Sequence, residues 1–200
     1  MALILKKGIF YHVPKTGGVW VRSVLKLMRL VEHEYHEDIL PMGELNLRAE
    51  HVSPLHADKS VVGDKPSFAF IRNPIAWYKS IWKYKSQGGW TDVYVKYKDK
   101  DFNVFMKNIM DISPGFLTRM YKEFDGVDYL GKQENLENDL ISILETLGEE
   151  VDYDIVGKVK PLNTSDYPVD KRLCEYDPKI LERMKKLEKW IFEKYYPEEL

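Results

Sequence analysis

Gly8-Ile9-Phe10-Tyr11-His12-Val13-Pro14-Lys15-Thr16-Gly17-Gly18-Val19-Trp20 joins an apolar run to a glycine turn and a helix start. Residues 8–13 have the pattern of a short buried strand. Pro14 to Gly18 break it. From Val19 to Val31, the apolar residues Val21, Val24, Leu25, Met28 and Val31 fall near helical spacing, which predicts a helix. Arg22, Lys26 and Arg29 share another face of that helix. The unit therefore reads as strand, turn, helix. Glycines after a strand let the backbone turn tightly and aim several N–H groups at one point. The head of the helix adds unpaired donors and partial positive charge. Lys15 supplies a cation and Thr16 a hydroxyl. Lys15, Thr16, Gly17, Gly18, Val19 and Trp20 are thus candidate phosphate-binding residues. A Walker A loop is excluded, because no glycine directly precedes Lys15. A plain strand-to-helix turn is the competing account.

A second unit of the same form lies further along. Ser67 to Ile71 is an apolar run bounded by Pro66 and by Arg72-Asn73-Pro74, and it predicts a buried strand. A helix follows over Ile75 to Ser86, ended by Gln87-Gly88-Gly89. Arg72 stands at the strand end and Ser80 about two turns into the helix. A guanidinium fork and a hydroxyl suit a second phosphate group. A surface arginine before Asn-Pro explains Arg72 equally well in isolation. Between the two units, residues 32–66 are polar and irregular, with a possible strand end at His51 to Pro54. Beyond them the pattern predicts helices over Phe102 to Met110 and to about Lys122, and a strand over Val127 to Leu130. A strong helix follows over Leu136 to Leu147, stopped by Gly148. The last helix starts at Asp177-Pro178 and runs to about Tyr195. Strands alternating with helices imply an α/β fold with a central parallel sheet flanked by helices. Ligands of such sheets bind beyond the carboxyl ends of the strands. Both turns should open on that edge. No linker divides the 200 residues, so one domain over residues 1–200 is expected.

Charge is distributed unevenly. The chain carries 30 Lys and Arg against 32 Asp and Glu, a formal net charge of −2. Residues 1–30 hold six Lys or Arg and no acid; residues 65–100 hold eight against Asp92 and Asp99. Two basic segments therefore sit in an acidic body. A nucleic-acid binder is usually basic as a whole, so nucleic acid is not an expected partner. A compact anion held where the basic segments meet fits better. Solvated lysine faces explain most of these residues singly. The single cysteine, Cys174, excludes an intramolecular disulfide and a Cys-rich zinc site. No run approaches the ~20 apolar residues of a membrane span, and no secretory signal is visible. The expectation is a cytoplasmic protein without a membrane partner.

Taken together, the two phosphate motifs resemble those of the sulfotransferases that use 3′-phosphoadenosine 5′-phosphosulfate (PAPS). In that family a Pro-Lys-Thr-Gly-Gly type loop cradles the 5′-phosphosulfate, and an Arg-Asn-Pro segment with a serine eight residues after the arginine holds the 3′-phosphate. Arg72 and Ser80 keep that spacing. Tyr129-Leu130-Gly131-Lys132-Gln133-Glu134-Asn135-Leu136 with Asp139-Leu140 is similar to the family's Gly-Arg-Phe-Glu-Asn-Leu-x-x-Asp-Leu segment. Asn163-Thr164-Ser165 is similar to its later Asn-x-Ser. The glycan-type branch is most alike, through His-Val-Pro-Lys-Thr-Gly-Gly at residues 12–18. Val19 stands where Thr or Ser is common, and Trp77 where a second arginine is frequent. The resemblance implies a P-loop-like three-layer fold and metal-free in-line transfer of a sulfuryl group from PAPS to an acceptor hydroxyl, on a glycan or small metabolite. It leaves PAP as product.

Transfer of this kind needs a base, charge stabilisation on the leaving phosphate, and positioning. Lys15 is the candidate for the leaving group. His51, in Glu50-His51-Val52-Ser53-Pro54, resembles the segment that supplies the base in several branches, and imidazole suits that work near neutral pH. His56, Glu32 and Glu34 are its rivals. His33, His36 and nearby acids do not make a convincing metal site. Trp77, Tyr78, Trp82, Tyr84, Trp90, Tyr94 and Tyr97 could stack on an acceptor or on adenine. Core packing is the simpler reading of the first three, and Trp90 and Tyr94 are the better candidates for an acceptor-facing loop. Two other functions fit the same residues. One is a nucleotide-dependent kinase with a variant phosphate loop, which would need Mg²⁺ and an acidic ligand. The other is a non-catalytic PAP- or glycan-binding protein.

Overall fold

The computed structural model describes residues 1–36, 51–90, 92–160 and 174–200. The chain folds as two compact units: residues 1–72 with 123–164, and residues 73–122 with 165–200. Asn163-Thr164-Ser165 lies outside the described residues.

The first unit is α/β. β1 (Ala2–Leu5) and β2 (Ile9–Tyr11) pair antiparallel around a tight turn, closed by the Leu5 N–H donating to Gly8 O at 2.8 Å. α1 (Gly18–Leu27) leads to β3 (Val31–Tyr35), which runs antiparallel to β1. The short α2 (Lys59–Val62) precedes β4 (Ser67–Ile71), which is parallel to β2. β5 (Tyr129–Lys132) is parallel to β4. The strand order is β3-β1-β2-β4-β5.

The sheet is therefore mixed, and the expectation of a wholly parallel one is corrected. β1 alone runs against the other four strands, since β2 and β3 are both antiparallel to it and β4 and β5 follow β2. β1 and β3 fell in stretches with weak signals. β1 has four residues, and β3, Val-Glu-His-Glu-Tyr, exposes Glu32 and His33. Charges on an edge strand oppose edge-to-edge pairing, and they hide the strand from an apolar pattern.

β4 is buried along its whole length, as an interior strand covered on both faces must be. Leu3, Leu5, Phe10, Phe68 and Phe70 point to one side. There they pack with Trp20, Val21, Val24 and Leu25 of α1 and with Leu140, Ile143 and Leu144 of α6 (Leu136–Leu147). Val156 of α7 (Tyr153–Lys158) joins this core. Each such side chain contributes about 1.5–3 kcal/mol by leaving water. α6 has the bounds its periodicity predicts, and Gly148 ends it at φ 73°. Ala2, Ile4, Ile9, Tyr11, Ala69 and Ile71, on the other side, are buried too.

The second unit is helical. It holds α3 (Pro74–Gly88), α4 (Phe102–Ile112), α5 (Phe116–Lys122), α8 (Pro178–Leu187) and α9 (Lys189–Tyr195). Asn73 caps α3 by accepting from the Ile75 N–H at 2.9 Å, and Pro74 occupies the first helical position. One helix was expected after Asp177; there are two, separated at Glu188. That carboxylate is buried. It accepts from Tyr78 Oη (2.5 Å), Leu117 N (3.2 Å), Thr118 N (2.8 Å) and Thr118 Oγ1 (2.6 Å). Glu188 thus ties α3 and the head of α5 to the α8–α9 junction. Trp77, Tyr78, Trp82, Tyr94 and Tyr97 are buried in this unit. Tyr94 packs on Tyr97 and Phe116, and Trp90 on Phe105. Tyr94 is therefore a packing residue of the helical unit rather than the tip of an open loop, and Trp90 is half-buried. Among the described residues, no helix is long and apolar enough to cross a membrane.

Candidate functional site

The carboxyl ends of β2, β4 and β5 lie on one edge of the sheet, because Tyr11 pairs with Ala69 and Ile71 with Lys132. The Val13–Gly17 loop leaves β2 there, and Arg72 leaves β4 beside it. The loop is built on two left-handed residues, Lys15 at φ 64° and Gly17 at φ 85°. Lysine in this region is uncommon, and such residues concentrate at functional turns. Gly17 is the N-cap of α1 and brings no capping side chain. The first N–H groups of the helix are thus left to other acceptors.

Both glycines are required by close packing as well. A Cβ on Gly17 would stand 2.5 Å from Leu136 Cδ2, and one on Gly18 1.9 Å from His12 Cδ2. Arg72 turns toward this loop, with Nη1 3.5 Å from the Lys15 carbonyl oxygen. The fold thereby brings the Lys15 loop and Arg72 together within the first unit, as the sequence motifs anticipate. Lys15 and Arg72 are both part-buried cations.

Not every predicted residue presents its side chain. Thr16 is buried, and its hydroxyl donates to Val13 O at 2.9 Å, which fixes the loop. Trp20 is a core residue whose indole N–H donates to Val159 O at 2.8 Å. Its backbone N–H donates to Gly17 O inside the first helical turn. Val19 is part-buried. Ser80, on the second turn of α3, is part-buried in the second unit.

His51 is part-buried, and its Nδ1 lies 3.1 Å from the His12 carbonyl oxygen. A carbonyl can only accept, so Nδ1 carries a proton. The His12 ring meets the His51 ring edge to face, with centroids 4.8 Å apart. The rivals are placed differently. His56 Nε2 is 3.1 Å from Glu123 Oε2, Glu32 pairs with Lys65 at 2.9 Å, and Glu34 with Lys26 at 2.7 Å. Both glutamates sit on β3. Among the described residues, no group of three His, Cys, Asp or Glu side chains is placed to hold a metal ion.

Sequence reasoning missed His12. It shares a sheet face with Phe10, which the alternation of a strand makes legible. It is 5% exposed. Burial, and then the electrostatic influence of His51 and Arg22, hold its pKa well below the ordinary imidazole value. His12 is therefore neutral at pH 7. No protein-family model matches the chain, and no curated protein matches it at a significant level.

Proposed function

We propose that the protein is a PAPS-dependent sulfotransferase on a P-loop-like three-layer scaffold. The observation that supports this best is the meeting of Arg72 with the left-handed Lys15–Gly17 turn at the head of α1. A cation, an arginine fork and uncapped helix N–H groups form a cradle for phosphate-type oxygens. The donor would supply the sulfuryl group. Lys15 and Arg72 would hold its anionic groups, as the family resemblance implies. His51 is the base: Nε2 takes the proton of the acceptor hydroxyl as that oxygen bonds to sulfur and the bond from sulfur to the PAP phosphate breaks. The His12 carbonyl keeps the His51 tautomer fit for that step.

The test is calorimetric titration with PAP beside 5′-AMP, on wild type and Arg72→Ala. The proposal expects micromolar PAP affinity that collapses without the 3′-phosphate and in the variant. Equal binding of the two nucleotides, or none, refutes it and moves ATP with Mg²⁺ to the front.

A further inference from the structure

His51 stands at the head of a tight turn. Two residues later, the Ser53 carbonyl oxygen accepts from the N–H groups of His56 (3.1 Å) and Ala57 (3.0 Å). Val52 and Ser53 are buried, Ser53 completely. A hydroxyl sealed from water needs a partner inside the protein. Glu123, 70 residues further along the chain, supplies it, with Ser53 Oγ donating to Glu123 Oε2 at 3.4 Å. The same carboxylate oxygen takes His56 Nε2 at 3.1 Å. One oxygen thus gathers a side-chain donor from each end of the turn. His51 itself reaches a different strand, its Nδ1 donating to the His12 carbonyl oxygen at 3.1 Å. The histidine is therefore held from two directions: its ring by His12, and the turn that follows it by Glu123. All of these residues belong to the first compact unit.

We propose that Glu123 is a positioning residue for His51: by pinning Ser53 and His56 it fixes where His51 Nε2 stands. The bond from Nδ1 to the His12 carbonyl sets which nitrogen carries a proton. It does not by itself set where the opposite nitrogen points. A fixed backbone at His51 does, and the backbone is fixed only if the turn behind it is. A group that takes a proton during bond formation has to be placed closely, and a misplacement of about 1 Å costs about 100-fold in rate. His56, with its side chain 40% exposed, is in this account an anchor of the turn and not a second base. The role of His51 as base rests on the transfer reading; the placing of its ring by Glu123 does not.

The experiment reads the His51 ring and its chemistry separately. The imidazole nitrogen signals of His51 are followed by NMR, assigned by their loss in His51→Ala. Wild type should show a slowly exchanging Nδ1–H. Glu123→Ala should lose that signal as the two tautomers average. Glu123→Gln should keep it, because the amide oxygen accepts from the same two donors. Ser53→Ala combined with His56→Phe leaves Glu123 in place and should reproduce Glu123→Ala, which decides the matter if the single variant does not fold. Turnover is then measured with PAPS and water as the acceptor, read as release of PAP. Glu123→Ala should lower kcat about 100-fold with KM for PAPS unchanged, and Glu123→Gln should restore it. The proposal is overturned if wild type lacks the Nδ1–H signal, if Glu123→Ala or the double variant keeps it, or if Glu123→Gln loses it as alanine does. It is also overturned if an active wild type and Glu123→Ala turn over alike. Should wild type release no PAP, the transfer reading falls, and the His51 signals still decide what Glu123 does.

Discussion

Replacing Gly18 with alanine tests whether the His12 ring sets the position of the helix head. The added Cβ would stand 1.9 Å from His12 Cδ2, 2.3 Å from Nε2 and 2.8 Å from Cγ. Carbon atoms in contact sit about 3.5–4.0 Å apart, so either ring or helix must move by well over an ångström. The ring has little room, being 5% exposed with Phe10 and His51 against it. Overpacking of this kind costs about 3 kcal/mol at the upper end of its range. Alanine in a helix returns about 0.5–1 kcal/mol relative to glycine. The net loss is about 2 kcal/mol, or about 4–8 °C in Tm for a chain of this size. The assay is urea denaturation of Gly18→Ala, His12→Ala and the double variant. Removing the ring makes space for the methyl, so the double variant should be more stable than the two single losses added together, by about 1 kcal/mol or more. Gly126→Ala, where nothing lies within 4 Å, is the control. Strict additivity, or a Gly18→Ala loss no larger than the control's, would refute the reasoning.

His51→Ala should abolish turnover and leave PAP affinity unchanged; loss of PAP binding would instead make His51 part of the donor site. Lys15→Ala should weaken PAP by at least about tenfold, the share of one charge-assisted contact, read by calorimetry. Because the folded pKa of His12 is depressed, the unfolded chain binds the extra proton below about pH 6.5. Stability should therefore be full above that pH and fall as pH drops from 6.5 to 5, by up to about 1.4 kcal/mol per unit. His12→Phe should flatten that slope in urea titrations; an unchanged slope assigns it to another group. Glu188→Ala strips the acceptor from four buried donors. A loss of about 3–5 kcal/mol is expected by thermal or urea unfolding, and a loss below about 1 kcal/mol would show that the donors find other acceptors.

Local chemistry made much of this protein legible in its sequence. The five apolar residues of β4, the cap at Asn73-Pro74 and the spacing of α6 each specify an element through interactions a few residues long. Lys15 and Arg72 were recognisable for the same reason, since each sits in a strand-to-helix turn with its own composition. The tertiary structure alone decided the rest. β1 is a strand because it pairs with β2 and β3, and β3 because it pairs with β1 from beyond α1; no pattern within four or five residues records such a partner. Thr16 and Trp20 turn inward because Val13 and Val159 offer acceptors there. Glu188 divides the last helix because its carboxylate finds donors on α3 and α5. His12 is a core histidine because α1 folds back over its ring at Gly18. The sequence determined where the glycine turn lies; packing determined which of its side chains turn inward.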